Sequence, residues 1–340
     1  MACVLRCLVL LPLLAACTES PPDPVRLSGA TMGTRYHITW LAAAEQPDPE
    51  AIHSGIEAVL KDVNASMSTW IEDSEISRFN RSPAGDWFAL SQPFAEVFGM
   101  ARLVSQASGG AYDVTVAPLV NLWGFGPAMG DSIPSDDDIA AARALVGEAR
   151  LEFDTRAPAL RKPAPMSVDL SSIAKGYGVD RVAEWLEQQG VEHYLVEIGG
   201  EIRVAGQSPR GEPWRIAIEK PAPDTALDVG RSVQETILLS DAALATSGDY
   251  RNFFEVDGVR YSHTIDPRTG SPVRHELVSV TVIHSSATMA DAWATALTVL
   301  GADAAMALAE KEQLAVYLVV REDDRFRAMV SPAMAPLLGV

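Results

Sequence analysis

An aspartate and a threonine late in the chain have the types and the spacing of a cation site. Asp291 and Thr295 lie in residues 289–297, which the sequence predicts to begin a helix. Residues four apart lie on one face of a helix, one turn apart. A carboxylate and a hydroxyl arranged in this way suit Mg²⁺, which takes oxygen ligands and leaves positions for substrate phosphates. The pair also fits a structural role, in which Asp291 caps the helix and Thr295 packs against its neighbours.

The first residues have the composition of a secretory signal. Residues 1–16 carry one basic residue, Arg6, and an apolar run too short to cross a bilayer as a mature helix. The ending Leu-Ala-Ala-Cys resembles a bacterial lipobox, so we expect lipidation of Cys17 and a membrane-anchored lipoprotein facing the periplasm. An ordinary signal peptide with an incidental cysteine is the alternative. Residues 17–28 would form a tether, and residues 29–340 the folded domain.

Composition narrows the function further. The chain has 27 Lys+Arg against 45 Asp+Glu, a net charge of −18, and no basic cluster, which excludes a nucleic-acid-binding role. To bind an anionic small ligand, a chain of this charge would need positive charge at the site, supplied by a metal and a well-placed lysine. Of the 3 cysteines, Cys3 and Cys7 would leave with the signal, so we expect neither an internal disulfide nor a catalytic thiol.

The periodic segments indicate a mixed fold. Helices are predicted from residue 49, over 93–107, from 135, over 174–189, after 289 and from about 302. Strands are predicted at 35–40, 166–170, 193–198, 201–205, 214–219, 232–239, 277–283, 314–320 and 326–330. Hairpin-like strands with helices between them favour a single large α+β domain, with antiparallel-rich sheets and flanking helices.

Glycine, acid and hydroxyl residues recur together where strands meet helices. The glycine-rich run 109–118 would let backbone approach a ligand, and Asp113 could hydrogen-bond an adenine or a ribose. The segment 168–176, with Lys175 in a first helical turn, could hold an anion, although it lacks P-loop spacing. A glycine C-cap before a core strand is the structural alternative for the first run.

Three smaller clusters accompany these. Residues 30–34 form a tight turn into a strand, and Gly199-Gly200 separates two strands. The paired glycines fit a turn or bulge, or a backbone passing close to a planar ring. Trp70 could stack on a flat ligand, or it could belong to the core or the surface.

In this order and spacing the motifs resemble the ApbE family of flavin transferases over residues 29–301. The resemblance implies a protein that binds FAD and Mg²⁺, cleaves the pyrophosphate and releases AMP. It also implies that FMN is joined to a threonine hydroxyl of an acceptor protein. Typical acceptors are subunits of membrane redox complexes, such as the sodium-pumping quinone reductase and the Rnf complex.

The resemblance also implies roles for individual residues. The metal ligands would be the Asp291 carboxylate, the Thr295 hydroxyl and the backbone carbonyl of Ser172. His263, Asp291 and Lys175 would be the catalytic groups. FAD contacts are expected at Met32, Trp70, Ala111, Tyr112, Asp113, Asp169, Lys175 and Ile265. Two positions depart from the family pattern, because many relatives have tyrosine at the position of Trp70 and alanine at that of Ser172.

Three functions remain open at this point. The first is the FMN transferase. The second is a metal-dependent FAD pyrophosphatase, which would use water as nucleophile and release FMN and AMP without labelling protein. The third is a non-catalytic flavin-binding lipoprotein, against which the metal and lysine set argues.

Overall fold

The structure, a computed structural model, describes residues 24–42, 47–126, 133–219, 233–248, 253–256, 259–323 and 325–339. The predicted signal, Cys17 and the first part of the predicted tether therefore lie outside the described residues. The first strand begins at Pro24, five residues before the predicted start of the folded domain. No helix among the described residues has both the length and the apolar character needed to cross a bilayer.

Helices and strands alternate irregularly along the chain. The helices are α1 (Pro49–Met67), α2 (Glu75–Arg81), α3 (Gln92–Ala107), α4 (Ala117–Leu122), α5 (Asp136–Arg143), α6 (Ala174–Gln188), α7 (Ala287–Leu300), α8 (Ala302–Lys311) and α9 (Ala335–Leu338). The strands are β1 (Pro24–Thr31), β2 (Thr34–Leu41), β3 (Trp87–Ala89), β4 (Glu152–Asp154), β5 (Ala159–Arg161), β6 (Tyr194–Ile198), β7 (Glu201–Ala205), β8 (Trp214–Glu219), β9 (Val233–Leu239), β10 (Ala242–Gly248), β11 (Phe253–Val256), β12 (Val259–Ser262), β13 (Ile265–Asp266), β14 (Ser271–Pro272), β15 (Leu277–His284), β16 (Ala315–Glu322) and β17 (Arg325–Val330). The predicted α+β class is confirmed.

Within the described residues, eight strands form one sheet in the order β1-β2-β6-β7-β10-β15-β16-β17. Every neighbouring pair in this sheet is antiparallel. Strand β15 lies inside the sheet, and all of its side chains except the last are buried. Its unbroken run of Leu, Val, Ser, Thr and Ile suits a strand that is covered on both faces.

Helices cover one face of this sheet, and the hairpin β8–β9 covers the other. Val280 and Val282 of β15 lie in one buried cluster with Trp293 and Leu297 of α7. Ile283 lies in a second cluster with the hairpin, because successive side chains of a strand point to opposite faces. Burying a side chain such as Leu297 contributes about 1.5–3 kcal/mol, so α7 is fixed against β15 mainly by apolar packing.

Residues 166–170 do not form the predicted strand. The Val168 amide donates to the Asn80 side chain at 2.7 Å, and the Asn80 Nδ2 donates to the Val168 carbonyl at 2.9 Å. The Asp169 amide donates to the Val114 carbonyl at 2.7 Å. These bonds satisfy the polar groups of the backbone without a partner strand. A segment bonded in this way has the same sequence pattern as a strand of a sheet.

The sequence pattern also does not predict β10. Its residues, Ala-Ala-Leu-Ala-Thr-Ser-Gly, are mostly small, and such residues are depleted in strands. Ala243 and Ala245 share buried clusters with the alanine-rich face of α7. Small side chains on both elements let the helix approach this strand, so packing rather than propensity determines the strand.

A carboxylate from α6 holds the N-terminus of α7. Asp180, which is 5% exposed, accepts hydrogen bonds from the amides of Ala287 and Thr288 at 3.0 and 2.9 Å. It also accepts them from the hydroxyls of Ser286 and Thr288 at 2.7 and 2.6 Å. The first amides of a helix have no partner within the helix, and a negative charge is favourable there. Asp180 therefore fixes the start of the helix on which the predicted cation site lies.

Replacing Asp180 with alanine should lower the free energy of unfolding by about 2–4 kcal/mol, because buried hydrogen-bond donors lose their acceptor and Arg203 loses an ion-pair partner. Urea unfolding followed by circular dichroism measures the change. The control is Asp303→Ala, which removes an exposed aspartate from the first turn of α8 and should change the same quantity by less than about 0.5 kcal/mol. Equal losses in the two variants would contradict the role of Asp180.

Candidate functional site

The first turn of α6 lies directly against α7. Asp291 Oδ2 accepts a hydrogen bond of 3.0 Å from the Gly176 amide, one of the amides that the helix itself leaves unpaired. Ile173, the N-cap of α6, offers no side-chain bond of its own. A Cβ on Gly176 would lie 2.3 Å from the Ala287 carbonyl oxygen and 2.9 Å from the Asp291 Cβ. Asp291 therefore caps α6, not its own helix, whose cap is Ser286.

The lysine that follows Ala174 reaches between two buried carboxylates. Lys175 Nζ lies 2.5 Å from Glu201 Oε1 and 3.8 Å from Asp291 Oδ1. The Glu201 side chain is 2% exposed, and its Oε2 has no hydrogen-bond partner among the described residues. Glu201 begins β7, directly after the Gly199-Gly200 turn, where both glycines have positive φ. The predicted turn between two strands is confirmed.

These three charges shift one another's protonation equilibria. Burial raises the pKa of Asp291, against the lowering effects of Lys175 and the Gly176 amide. Burial also raises the pKa of Glu201, although Lys175 acts in the opposite direction. Burial lowers the pKa of the Lys175 ammonium, but Asp291 and Glu201 outweigh it and the pKa is raised. Lys175 is therefore a cation at neutral pH, next to carboxylates that burial disfavours in their charged form.

Tyr112 and Ser172 form the next part of the site. The Ser172 Oγ donates to the Tyr112 hydroxyl at 3.0 Å. Burial raises the pKa of Tyr112, and the nearby carboxylates of Asp291, Asp169 and Asp113 raise it further. Asp291, Asp169 and Asp113, which are all predicted site residues, therefore act on Tyr112 electrostatically.

Asp113 and Asp169 order the loops on which they lie. Asp113 Oδ1 accepts from the amide and the hydroxyl of Thr115 at 2.8 and 2.5 Å, and its Oδ2 accepts from the Glu148 amide at 2.9 Å. Asp169 Oδ1 accepts from the Ser171 amide at 2.8 Å. Both oxygens of Asp113 thus have partners within the protein, so its predicted contact with an adenine or a ribose would share acceptors that are already in use.

Thr295 lies four residues after Asp291 on α7, as predicted. Its hydroxyl is 3.3 Å from that of Ser247, in β10. No group of three or more His, Cys, Asp or Glu side chains that could hold a metal ion occurs within the described part of the chain. The predicted ligands, the Asp291 carboxylate, the Thr295 hydroxyl and the Ser172 carbonyl, are all oxygen donors. They fit a hard cation that completes its shell with water or substrate oxygens.

The remaining predicted contacts lie on other elements. Met32, at positive φ in the β1–β2 turn, is near Gly178 of α6, where an added Cβ would meet its Cε at 2.8 Å. Ala111 is buried beside Tyr112. Trp70 is 71% exposed, so its ring is open to a ligand and does not belong to the core.

His263 lies just before hairpin β13–β14, and Ile265 is the first residue of β13. Ile265 packs with Leu119, Trp123 and Tyr261 in a small cluster of its own, and the His263 ring meets Phe125 edge to face with centroids 6.3 Å apart. A cavity of about 490 Å³ borders this hairpin, and its walls include Trp123 and Tyr261 but neither Asp291 nor Lys175.

Three residues of the site are not among the predicted site residues. Glu201 stands at the end of the recognised Gly-Gly motif, and an acid in that position was a usable signal. Gly176 follows Lys175, but the close contact between α6 and α7 that requires a glycine there is visible only in the folded structure. Ser247 lies in β10, whose sequence gives no sign of a strand.

Known proteins with similar sequences are named for the same activity. The profile of the ApbE family matches residues 32–318. A Vibrio cholerae protein named FAD:protein FMN transferase is 48% identical over 329 residues, 96% of each chain. A Haemophilus influenzae protein of the same name is 46% identical over 330 residues, 95% of this chain and 94% of its own.

Solved structures with a similar fold belong to proteins named ApbE. The flavin transferase ApbE from Vibrio cholerae aligns with a TM-score of 0.87 at 47% identity, covering 94% of this chain and 100% of its own. The apo flavinyl transferase ApbE from Pseudomonas stutzeri aligns with a TM-score of 0.86 at 41% identity, covering 94% and 98%. The family resemblance and the fold expected from it are confirmed.

Replacing Gly176 with alanine should lower the free energy of unfolding by about 1–3 kcal/mol, because the new methyl group forces α6 away from α7. The matched control is Gly99→Ala in α3, where the nearest atom outside the helix is 4.0 Å from the added Cβ. That change should be neutral or stabilising, since alanine favours a helix more than glycine does. Chemical unfolding of both variants measures the difference, and a Gly176→Ala protein as stable as wild type would contradict the close contact.

Proposed function

The chain belongs to the ApbE family, and we propose that it is an FAD:protein FMN transferase that uses a divalent cation, magnesium, held at Asp291. FAD is the substrate, and a protein hydroxyl is the acceptor. The observation that carries the proposal is the buried Asp291–Lys175 cluster at the first turn of α6, with Thr295 one turn along α7.

The reaction requires an exchange of one bond at phosphorus. The acceptor oxygen attacks the phosphorus of the FMN half, and the bond from that phosphorus to the bridging oxygen breaks. AMP leaves with the electron pair, and the hydroxyl proton passes to a base. Because negative charge develops on the leaving phosphate, positioning and electrostatics supply most of the acceleration in such transfers.

The residues of the cluster have separate tasks in this reaction. Asp291 Oδ1, the Thr295 hydroxyl and the Ser172 carbonyl would hold the cation. A bound Mg²⁺ would neutralise charge on the AMP phosphate. Lys175 adds a second positive charge, and the first amides of α6 favour an anion nearby. Tyr112 and Ser172 keep their wall of the site fixed through their hydrogen bond.

We propose that His263 is the base that accepts the proton of the acceptor hydroxyl, with Asp291 as the alternative base. His263 is proposed on the family resemblance, which puts it close to the reacting phosphates. The FAD contacts at Met32, Trp70, Ala111, Tyr112, Asp113, Asp169, Lys175 and Ile265 are proposed on the same ground.

The acceptor supplies the nucleophile. We propose a threonine as the modified residue, and subunits of membrane redox complexes of the sodium-pumping quinone reductase or Rnf type as acceptors. This proposal rests on the family resemblance alone. An acceptor of this kind would agree with a transferase held at a membrane surface.

The purified protein should transfer FMN to an acceptor subunit in the presence of FAD and Mg²⁺, giving a fluorescent acceptor band in a denaturing gel. Mass spectrometry should locate the added FMN on a threonine. Asp291→Ala should abolish the label, and Thr295→Val should reduce it at limiting Mg²⁺. The matched control is Thr298→Val, since the Thr298 hydroxyl donates only to the Ala294 carbonyl of the same helix.

Each other outcome has a definite meaning. Free FMN and AMP without a labelled acceptor would favour the pyrophosphatase, and intact FAD would favour a flavin-binding protein without activity. Normal transfer by Asp291→Ala in Mg²⁺ would contradict the cation site. A label on serine would contradict only the choice of threonine.

We also propose that Cys17 carries a lipid that anchors the protein at the periplasmic face of a membrane. Cys17 lies outside the described residues, so the proposal depends on the Leu-Ala-Ala-Cys ending and the short apolar run. In cells grown with labelled palmitate, the protein should take up label and fractionate with membranes, and Cys17→Ser should do neither. Cys7→Ser, within the predicted signal, is the control and should leave labelling unchanged. A wild-type protein without label would contradict the anchor.

A further inference from the structure

The Lys175 ammonium is shared unequally between its two carboxylates. At 2.5 Å from Glu201 Oε1 it is within hydrogen-bond distance, whereas at 3.8 Å from Asp291 Oδ1 it is not. The second oxygen of Asp291 is already bonded to the Gly176 amide. Oδ1 is thus the oxygen of Asp291 that remains for an incoming cation, and Lys175 stops short of it.

Removing Glu201 would change this distribution. Lysine carries a compact charge on a flexible stem, so its ammonium moves to whichever anion is in reach. Without Glu201, the carboxylate next to Lys175 would be Asp291, and burial favours pairing of the two. A lysine bonded to Asp291 Oδ1 would occupy the position that a metal needs.

The hairpin β6–β7 keeps Glu201 in place. The Gly199 amide donates to the Arg35 carbonyl at 3.0 Å, and the Gly200 amide donates to Glu197 Oε1 at 2.7 Å. An added Cβ on Gly199 would lie 3.3 Å from Lys175 Cδ, so the lysine stem runs along the bare backbone of this turn. The turn therefore sets both the position of Glu201 and the path of the lysine.

We propose that Glu201 is a positioning residue that keeps the Lys175 ammonium away from Asp291 and so leaves Asp291 Oδ1 available to a divalent cation. The inference rests on the proposed function, because it assumes that Asp291 binds the cation. It adds a role for Glu201, to which the proposed function gives no part.

Binding of Mn²⁺, followed by electron paramagnetic resonance with and without FAD, tests the proposal independently of turnover. Glu201→Gln should weaken Mn²⁺ binding on the order of tenfold, a usual size for coupling between neighbouring sites. Glu201→Asp, which keeps the charge, should recover part of the loss. Glu192→Gln is the control, since it removes one negative charge from an exposed position just before β6, and it should bind Mn²⁺ as wild type does.

The decisive comparison is made in a Lys175→Met background. If Glu201 acts by holding the lysine, then Glu201→Gln should cause no further loss of Mn²⁺ affinity once the lysine is absent. An equal loss in both backgrounds would mean that Glu201 acts through its own charge, and would overturn the proposal. So would wild-type affinity in the single Glu201→Gln variant.

Asp291→Ala separates this inference from the proposed function. If Asp291→Ala keeps wild-type Mn²⁺ affinity, the cation is not at Asp291 and both fail. If Asp291→Ala loses binding while Glu201→Gln does not, only the role of Glu201 fails. Circular dichroism and thermal unfolding of each variant show whether a loss of binding comes from a loss of fold, and the double variant contains no unpaired lysine that could destabilise the protein.

Discussion

The site depends on two helices that cap each other. Asp180 of α6 accepts hydrogen bonds from the first amides of α7, and Asp291 of α7 accepts one from the Gly176 amide in the first turn of α6. Each helix thus supplies the carboxylate that the other lacks at its N-terminus. The contacts also fix the direction of the helices, because residues later in α6 meet residues earlier in α7. A pair of helices locked at both points can hold Asp291, Lys175 and Thr295 in one place without a dedicated loop.

The charge of the cluster complements that of the whole chain. A protein with a net charge of −18 must provide local positive charge if it is to bind a dinucleotide. Lys175 and the amides of α6 provide some, but Asp291 and Glu201 outnumber the lysine. Burial disfavours the ionised form of both carboxylates, and a cation beside them would favour that form. Both the overall composition and the local geometry therefore fit the cation that we propose at this site.

Much of the fold was predictable because it follows local periodicity. The helices α1, α3, α6 and α8 and strand β15 have apolar patterns or capping residues that indicate their type. The pair Asp291 and Thr295 was visible because helical spacing alone places both on one face. Strand β10 and the irregular segment 166–170 were not predictable, since their conformations depend on α7 and on Asn80. The partner of Asp291 was also out of reach, because Gly176 is 115 residues away in sequence and only the folded chain brings the two helices together.

The two oxygens of Asp291 connect stability with binding. Oδ2 fixes α6, whereas Oδ1 faces Lys175 at a distance too long for a hydrogen bond. Burial therefore raises the pKa of Asp291, because the contacts within the protein do not fully compensate for the loss of water. A cation at Oδ1 would remove this deficit, and a ligand that binds only the native state stabilises that state. The same imbalance that makes the carboxylate costly to bury would favour the proposed cation at Oδ1, and occupation of the site would tighten the contact between α6 and α7 on which the site is built.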